Sequence, residues 1–417
     1  MELYDHQKKI VADDPEKTGL FLGTGSGKTL IALLLARGKT LVICPKTQKE
    51  DRNWERENEK NNLNIDLTTI SKETFRRDAD TLPAYDTIII DEAHKMLGIT
   101  PNTRWRNKQE IPKTSQLFEA LERYIQKTKP KRMYLCTATI MKSPFTVWGA
   151  MKILGKTSGT MQGFYSFRNR FYVKLPMPGR EVWVPKQDKG TKEFLVSLVK
   201  EMGYVGRLED FFDVPEQTFK DVYIELTPKQ KQRIKDLTFE YPDPIVRTGK
   251  RHQIENGNLL GDEFSQSEIF DNGKIEKLLD YASEFPRIIV FAKYTLQIEQ
   301  IEKAMRKAGY KIFTLTGKTK ERGQIFSEAK NSEAYVFIVQ AQISEGWELP
   351  DCPVLIFASR TYSFVDYDQA LGRIQRSNNI KKNLYINLIV KGGTDEAVHK
   401  ALLNKQDFNE HLYAKGS

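Results

Sequence analysis

A glycine-rich loop between an apolar run and an apolar helical pattern is the feature that most constrains how this chain folds. The loop reads GTGSGKT at residues 23–29; the run GLFLG (19–23) leads into it and LIALLLA follows it. A strand that continues through a loop into a helix is the repeating unit of α/β proteins. Glycines let a backbone wrap closely around an anion, and a helix N-terminus favours negative charge, so the pattern predicts a phosphate-binding loop.

This loop departs at one position from the strict nucleotide-binding pattern GxxxxGK[ST], because Leu22 stands where the pattern has glycine. The strand–loop–helix context still supports the prediction, and a chance glycine loop is the alternative. Lys28 is expected to reach the β- and γ-phosphates of ATP, and the Thr29 hydroxyl is expected to bind Mg²⁺. The residues predicted to contact the nucleotide are Gly23, Thr24, Gly25, Ser26, Gly27, Lys28 and Thr29.

Short apolar runs rich in β-branched residues recur in the first and last thirds of the chain. They are too short for buried helices and therefore predict buried parallel strands. The runs are 19–23, 40–45, 87–92 and 132–138, and then 287–292, 334–340, 353–358 and 384–390. Amphipathic stretches between them, such as 295–308, predict crossover helices. The predicted fold class is α/β, with two lobes at 1–154 and 222–417 and a connecting region at 155–221.

The sequence DEAH at residues 91–94 directly follows the run TIII. Carboxylates at the carboxyl end of a parallel strand face the crevice in which such sheets bind ligands. Asp91 is predicted to hold Mg²⁺, and Glu92 is predicted to orient and polarise the attacking water. For His94, a local hydrogen-bonding role is the alternative.

The segment QALGRIQR (369–376) fits the pattern QxxGRxxR. On a helix, Gln369, Arg373 and Arg376 would share one face. Two arginines that point the same way repel each other unless an anion lies between them, and a triphosphate supplies that anion. An inserted arginine raises the rate of phosphoryl transfer by about 10³–10⁵, so the three residues are predicted to be catalytic. An exposed basic helix face is the alternative.

Together these motifs resemble those of superfamily 2 helicases, and the resemblance spans nearly the whole chain. It implies two tandem RecA-like lobes with parallel sheets and an ATP cleft between them. TAT (137–139) resembles the coupling motif that follows DEAH, and SEGWELP (344–350) resembles the second-lobe motif that places Gly346 near the nucleotide. Tyr4 and Gln7 match the N-terminal glutamine motif that reads adenine.

Several segments are similar to the Swi/Snf-type branch of that superfamily. These segments are CPKTQKEDRNWERE (44–57), FFDVPEQTFKDVYIELTPKQKQ (211–232), NGKIEKLLDY (272–281) and LTGKTKERGQ (315–324). Members of the branch carry longer helical insertions and HRxGQ in the last motif, where this chain has QRSNN. The compact size is also similar to phage branch-migration helicases, which favours a small phage or bacterial DNA motor.

A motor that moves along nucleic acid must hold the backbone without reading its sequence, through hydroxyls, backbone N–H groups and cations at strand ends. At each such position a solvated surface residue is the alternative. The predicted first-lobe contacts are Lys46, Ser71, Lys72 and Thr139, and the predicted second-lobe contacts are Lys293, Thr316, Lys318, Thr319, Gln342 and Ser344.

Two aromatic and basic stretches are candidates for further contacts. Trp105 and Arg106 lie in TPNTRWRNKQ (100–109), where an aromatic side chain between arginines can stack on a base or wedge open a duplex. A loop that the tryptophan anchors to the lobe is the alternative. In FYSFRNRFYVK (164–174) the phenylalanines keep helical spacing, which favours a core position.

Composition bounds the partners and the compartment. The formal charge of +10 and the pI of about 9.1 favour a polyanionic partner. Cys44, Cys136 and Cys352 lie far apart beside apolar runs and show no CxxC zinc spacing, so buried reduced thiols are expected. The opening MELYDHQKK does not have the pattern of a signal peptide, and no apolar run reaches the roughly 18 residues of a membrane helix. A cytoplasmic protein without a membrane partner is therefore expected, in the host cytoplasm if a phage encodes it.

The sequence predicts an ATP hydrolase that is coupled to movement along DNA, uses ATP and Mg²⁺, and acts as a monomer on forks, junctions or duplex DNA in replication, recombination or repair. DNA is expected to stimulate the hydrolysis. Three rivals remain: a Swi/Snf-like double-strand translocase that does not separate strands, an RNA helicase, and a non-catalytic ATP-switched nucleic-acid binding module. The intact Lys28, Glu92 and Arg373 argue against the last of these.

Overall fold

The structure is a computed structural model, and the chain divides into two compact units, Met1–Phe212 and Asp213–Ser417. Much of the predicted connecting region, as far as Phe212, belongs to the first unit. The residues that the structure describes are 2–106, 109–177, 180–213, 217–261, 265–319, 322–343, 347, 349, 351–374, 382–404 and 407–408.

The first unit is built on a six-stranded sheet in which every neighbouring pair of strands is parallel. In chain order the strands of this unit are β1 (Lys17–Leu22), β2 (Thr40–Cys44), β3 (Leu67–Ser71), β4 (Thr87–Asp91), β5 (Ile99–Arg106), β6 (Gln109–Thr114), β7 (Arg132–Cys136), β8 (Tyr172–Met177), β9 (Arg180–Pro185) and β10 (Gly203–Gly206). The order across the sheet is β10-β1-β7-β4-β2-β3. β5 pairs with β6, and β8 with β9, as two separate antiparallel hairpins.

Helices cover both faces of this sheet. In chain order they are α1 (Asp5–Asp13), α2 (Lys28–Leu35), α3 (Lys46–Glu50), α4 (Asn53–Lys60), α5 (Lys72–Asp78), α6 (Gln116–Thr128), α7 (Pro144–Leu154), α8 (Phe164–Phe171) and α9 (Lys189–Met202). Successive strand residues point to opposite faces. Ile88 and Ile90 accordingly pack into one buried cluster with α6 and α7, whereas Ile89 packs into the other with α2. The uninterrupted apolar runs are thus explained by burial on both faces.

The second unit repeats this plan with its own six-stranded parallel sheet. Its strands are β11 (Thr218–Ile224), β12 (Asn258–Leu259), β13 (Glu268–Ile269), β14 (Arg287–Ala292), β15 (Ile312–Leu315), β16 (Tyr335–Gln340), β17 (Val354–Phe357) and β18 (Leu384–Val390). The order across the sheet is β11-β18-β17-β14-β16-β15. Its helices are α10 (Pro228–Glu240), α11 (Pro244–Glu255), α12 (Gly273–Glu284), α13 (Thr295–Lys307), α14 (Arg322–Lys330), α15 (Phe364–Leu371) and α16 (Thr394–Leu403).

The α/β class with two tandem RecA-like sheets is confirmed. All eight apolar runs form strands of the two sheets, and the predicted crossover helix is α13. The runs that form β3, β10, β11 and β15 escaped prediction because they are short or partly polar. One local expectation is wrong: α15 ends at Leu371, so Arg373 lies in the turn that follows rather than on the helix. Gly372, a weak helix former, stands where the helix stops.

All three cysteines are free and buried, as predicted. Burial raises the pKa of the Cys44 thiol to about 12, so this thiol is not a nucleophile at neutral pH. Among the described residues, no helix combines the length and the apolarity that a membrane span requires.

Candidate ATP site and nucleic-acid surfaces

The glycine-rich loop joins the carboxyl end of β1 to the first turn of α2. Gly25 and Gly27 have φ values of 82° and 81°, a region that glycine enters without a Cβ penalty. The Ser26 hydroxyl and backbone N–H both donate to the Gly23 carbonyl, at 2.8 and 3.3 Å. These bonds fold the chain into a compact turn ahead of α2, the arrangement in which backbone N–H groups bind phosphate. Thr24 and Thr29, partly exposed, complete the predicted set.

Lys28 is the first residue of α2, and its ammonium lies over the loop. It donates to the carbonyl oxygens of Leu22, at 2.8 Å, and Gly23, at 3.0 Å. A phosphate that enters the loop would take over ammonium contacts of this kind. The lysine is therefore already placed beside the position predicted for the β- and γ-phosphates.

The N-terminal segment lies directly against this loop. Gln7 is buried; its Nε2 donates to the Ser26 carbonyl at 3.4 Å, and its Oε1 accepts from the backbone N–H of Tyr4 at 3.0 Å. His6 Nε2 lies 2.9 Å from the same Ser26 carbonyl. The predicted adenine-reading residues thus sit beside the phosphate loop, with the Gln7 amide engaged by the protein itself.

A pocket of about 640 Å³ opens next to these residues, a volume in the range of small-molecule sites. Tyr4 and His6 line it together with Asp210 and Phe211. The His6 ring stacks on Phe211 with centroids 4.1 Å apart. Sequence reasoning missed both His6 and Phe211. Phe211 follows β10, far along the chain, and only the pairing of β10 with β1 brings it to this pocket.

The two carboxylates of DEAH lie at the carboxyl end of β4. Asp91 Oδ1 accepts from the Glu92 backbone N–H at 2.9 Å, and Asp91 Oδ2 accepts from the indole Nε1 of Trp54 at 3.4 Å. Burial raises the pKa of Asp91, while the charges of Lys72 and Lys28 act in the opposite direction. Trp54 belongs to α4 and is itself buried, so it fixes this carboxylate from the neighbouring strand–helix unit.

Asp91 fits the predicted magnesium ligand. A partly buried carboxylate whose charged form is penalised by burial gains from a hard cation, and Mg²⁺ is bound through carboxylate, hydroxyl and phosphate oxygens. The Thr29 hydroxyl, one residue into α2 after Lys28, is the second predicted ligand. Among the described residues no cluster of three or more His, Cys, Asp or Glu side chains could hold a metal ion by itself.

The TAT segment lies beside DEAH. His94 Nδ1 lies 2.9 Å from the Thr137 hydroxyl, 3.1 Å from the Thr139 hydroxyl and 3.4 Å from Glu92 Oε2. His94, Thr137 and Thr139 are all buried. Thr139 therefore faces the carboxylate site, and hydrogen bonding by His94 is the role that the geometry supports.

The predicted nucleic-acid contacts of the first unit lie at strand ends. Lys46 begins α3 after β2 and is exposed. Ser71 ends β3, is buried, and accepts from the Thr74 backbone N–H as the N-cap of α5. The ammonium of Lys72 is buried and donates to the Glu92 carbonyl oxygen at 2.9 Å. Lys72 thus faces the carboxylate site, which sequence reasoning did not predict.

Trp105 lies on the β5–β6 hairpin, where 76% of its surface is exposed. The alternative that it anchors a loop to the lobe is therefore wrong. Arg106, next to it, is also exposed. The hairpin is attached to α8 through Tyr165, whose hydroxyl donates to Glu110 at 3.2 Å, and through Arg168, which donates to the Pro101 carbonyl at 3.3 Å.

Helix α8 itself is a core element, as its spacing predicts. Phe164, Phe167 and Phe171 are buried in the cluster beneath the sheet. The Arg168 guanidinium lies 4.1 Å from the ring centroid of Trp183 on β9. The helix therefore supports both hairpins of the first unit.

In the second unit Gln369 and Arg373 are buried. Arg373 Nε donates to the Gln369 carbonyl at 2.9 Å, and Nη1 donates to the Trp347 carbonyl at 2.7 Å. The guanidinium is held by backbone carbonyls and by the Trp347 ring, 5.9 Å from its centroid. Arg376, Gly346 and Ser344 lie outside the described residues.

The remaining predicted contacts follow the carboxyl ends of three adjacent strands of the second sheet. Lys293 follows β14, and its ammonium lies 3.3 Å from the ring centroid of Tyr362. Thr316 and Thr319 follow β15 and bond each other, with the Thr316 N–H 2.9 Å from the Thr319 hydroxyl. Two exposed residues, Lys318 after β15 and Gln342 after β16, complete this edge. Because the carboxyl ends of parallel strands lie together, these residues lie close to one another at the carboxyl ends of β14, β16 and β15.

Residues 273–378 match the helicase conserved C-terminal domain. The chain is 24% identical over 425 residues to the DNA 3'-5' translocase XPB2 of Sulfurisphaera tokodaii, an alignment that covers 95% of this chain and 83% of the relative. It is 29% identical over 230 residues to MJ1505 of Methanocaldococcus jannaschii, a candidate ATP-dependent RNA helicase. That alignment covers 52% of this chain and 28% of the relative.

Among solved structures, the Sulfolobus solfataricus SWI2/SNF2 ATPase core in complex with dsDNA aligns with a TM-score of 0.39 at 19% identity, over 100% of this chain and 94% of that chain. By similarity, the family match and the relatives relate this chain to helicases and to a DNA translocase. The match to the helicase domain lies in the second unit, whereas the phosphate loop and DEAH lie in the first.

Proposed function

We propose that this chain is an ATP-dependent DNA helicase or translocase that remodels or unwinds branched DNA such as forks and junctions. The observation that carries the proposal is the convergence of Lys28, Asp91 and Glu92 at the carboxyl edge of the first sheet. Lys28 lies over the phosphate loop, and its charge reaches Asp91. Such an edge is where open α/β sheets bind nucleotides.

The chain's own residues suit phosphoryl transfer. Backbone N–H groups of residues 23–29 hold the phosphates, and the Lys28 ammonium exchanges its loop carbonyls for phosphate oxygens. Asp91 and the Thr29 hydroxyl hold Mg²⁺, which neutralises negative charge on the phosphates when bound. Glu92 orients and polarises the attacking water. The rings of Tyr4, His6 and Phe211 offer the base a stacking surface in the adjoining pocket.

The second unit supplies the arginine motif in this proposal. Gln369 and Arg373 are buried in that unit, and Arg376 follows in sequence. We propose that Arg373 and Arg376 act on the γ-phosphate and that Gly346 lies near the nucleotide. Substitution of either arginine is then expected to lower turnover while leaving binding of ATP to the phosphate loop largely intact.

Nucleic acid is held without sequence readout. On the first unit we propose Lys46, Ser71 and Thr139, and on the second unit the strand-end residues Lys293, Thr316, Lys318, Thr319, Gln342 and Ser344. The net charge of +10 favours a polyanion. Each cation that contacts a phosphate adds to the salt dependence of binding, so affinity for DNA should fall steeply with salt concentration.

The preference for branched DNA rests on Trp105. A tryptophan with 76% of its surface exposed, beside an exposed arginine on a hairpin, can stack on an unpaired base. Unpaired bases are available at forks and junctions and are absent from intact duplex.

A double-strand DNA translocase that does not separate strands is the second candidate. It is favoured by the similarity to a DNA 3'-5' translocase over nearly the whole chain. An RNA helicase is a third outcome of the same experiment, since MJ1505 is named for RNA.

The experiment is ATP hydrolysis measured with single-stranded DNA, blunt duplex, fork, four-way junction and RNA. Stimulation greatest with forks and junctions is expected. Equal stimulation by plain duplex would favour the translocase, and stimulation by RNA alone would favour an RNA helicase. Equal rates of ATP hydrolysis with and without every nucleic acid would refute the proposed coupling of hydrolysis to movement along nucleic acid. Glu92→Gln is the control, with hydrolysis lowered by at least about 10² and ATP binding retained.

A further inference from the structure

The side chain of Lys72 ends at the DEAH site although it starts two strands away. Lys72 follows β3, Glu92 follows β4, and β2 lies between those strands. Neighbouring strands are about 4.8 Å apart, so an extended lysine can span the gap. Its ammonium donates to the Glu92 carbonyl oxygen at 2.9 Å, and only 6% of the residue is exposed.

The acceptor of this bond is an unusual residue. Glu92 has φ 45° and ψ 53°, the left-handed region, which side chains with a Cβ rarely adopt and which costs energy. Strained backbone of this kind persists only where surrounding contacts impose it. The bond from the Glu92 N–H to Asp91 holds one side of the residue. Its carbonyl accepts from the Lys72 ammonium at 2.9 Å and from the Lys95 backbone N–H at 3.0 Å.

The backbone conformation of Glu92 decides where its carboxylate points. The carboxylate Oε2 lies 3.4 Å from His94 Nδ1, so the carboxylate is turned toward His94, which contacts the TAT segment. A relaxation of φ to negative values would swing the Cα–Cβ bond and with it the carboxylate. The hydrolysis of ATP is sensitive to such a displacement, because misplacement of a catalytic group by about 1 Å can cost about 10² in rate.

We infer that Lys72 is a positioning residue for ATP hydrolysis, which holds the backbone of Glu92 in the left-handed conformation that aims the carboxylate. This rests on the proposed function, in which Glu92 polarises the attacking water. Lys72 touches neither substrate nor metal in this role. The buried ammonium also distinguishes Lys72 from the exposed Lys46, which keeps its proposed role as a nucleic-acid contact.

The test compares Lys72→Met, which keeps the aliphatic stem and removes the ammonium, with the wild-type chain. We measure kcat and KM for ATP at saturating DNA, the Kd of a fluorescent ATP analogue, and the thermal unfolding midpoint. The expected result is a kcat lowered by about 10-fold or more, with the Kd for the analogue within about twofold of wild type. Lys131→Met is the matched control. It removes an exposed lysine that directly precedes β7, at the end of the sheet away from the site, and should leave every value unchanged.

A kcat for Lys72→Met equal to that of the wild type would overturn the inference. So would a loss of kcat that is matched by an equal loss of nucleotide affinity, because a role in general folding of the site would produce that pattern. If Lys72→Met does not fold, Lys72→Gln decides on the same two criteria, because its side chain is one bond shorter and does not reach the Glu92 carbonyl. A wild-type chain that does not hydrolyse ATP refutes the proposed function itself, and is thereby distinguished from failure of the Lys72 inference.

Discussion

Nδ1 of His94 lies 2.9 Å from Oγ1 of Thr137, so a side chain that follows β4 meets one that follows β7. The two strands are parallel neighbours, with Asp91 opposite Cys136. The DEAH and TAT segments therefore both begin at the carboxyl ends of neighbouring strands. The bond ties DEAH to TAT inside the first unit, where both partners are buried.

Thr137→Val should destabilise the first unit. The substitution keeps the shape of the side chain and removes the hydroxyl that serves both His94 and the Thr139 backbone N–H, the latter at 3.1 Å. A buried polar group left without its partner costs about 1–3 kcal/mol. Urea unfolding followed by intrinsic fluorescence should show that loss, whereas Thr81→Val, at an exposed threonine, should shift stability by less than about 0.5 kcal/mol. Equal effects of the two variants would contradict the assignment.

The second unit contains a buried histidine whose protonation should weaken the fold. His252 is fully buried; its Nδ1 lies 2.8 Å from the Tyr294 hydroxyl, and its Nε2 lies 3.3 Å from Asp395 Oδ1. Burial lowers the pKa of His252 from 6.5 to about 4, although Asp395 acts in the opposite direction. Because the unfolded chain takes up the proton at a higher pH than the folded chain, stability is lost as the pH falls from about 6.5 to about 4.

The pH dependence can be assigned by comparing the wild type with His252→Gln. Each pH unit within the window should cost the wild type up to about 1.4 kcal/mol relative to the variant. Lys293 and Lys274 also face the imidazole and oppose its protonation. Urea midpoints at pH 7, 6 and 5 measure the difference. Parallel curves for the two proteins would show that folding does not lower the pKa of His252. A wild-type His252 NMR signal that titrates near pH 6.5 would exclude the prediction even if the variant does not fold.

Trp105→Ala should separate DNA binding from stability. An exposed side chain contributes little to folding, so the free energy of unfolding should change by less than about 0.5 kcal/mol. Loss of a base-stacking surface should weaken binding to fork DNA by about 1–3 kcal/mol, measured by fluorescence anisotropy. Phe239→Ala, which removes an aromatic side chain that is 88% exposed in the second unit, is the matched control. Similar losses for both variants would indicate nonspecific effects of exposed aromatic residues.

The strands that carry the site could be predicted because their residues are buried on both faces. Ile88, Ile89 and Ile90 form one uninterrupted apolar run for that reason, and the position of Asp91 at its end follows directly. The order of strands across the sheet could not be predicted. Local sequence does not state that β3 lies two places from β4, so nothing near Lys72 indicates that its ammonium reaches Glu92.

The hairpins escaped prediction for a different reason. The β5–β6 segment is only partly buried and mixes proline, threonine and charged residues, so it lacks the alternation that predicts a half-buried strand. Trp105 could still be recognised as a candidate contact from the arginines beside it. Phe211 could not be placed at the pocket that Tyr4 and His6 line, because its position depends on pairing of β10 with β1, far apart in sequence.

Gly27→Ala should damage the phosphate loop through a specific clash. Gly27 has φ 81°, and a Cβ there would lie 2.2 Å from Nε2 of Gln7. Gly155→Ala is the matched control, since that residue has φ 67° with no atom within 4 Å of the added Cβ. Both substitutions carry the backbone penalty of a positive φ, about 1–2 kcal/mol. Only Gly27→Ala must also displace the glutamine that bonds to Ser26.

The expected result is a weaker affinity of Gly27→Ala for ATP, by about tenfold or more, with Gly155→Ala unchanged; a tenfold change corresponds to about 1.4 kcal/mol. Isothermal titration calorimetry measures both. The double variant Gly27→Ala/Gln7→Ala should regain part of the lost affinity, because the shortened side chain removes the clash while the strained φ remains. Additive losses in the double variant would mean that Gln7 is needed for the nucleotide rather than merely crowded by the new methyl group. The packing of Gln7 against the loop would then serve binding of the base, as the match to the glutamine motif predicts.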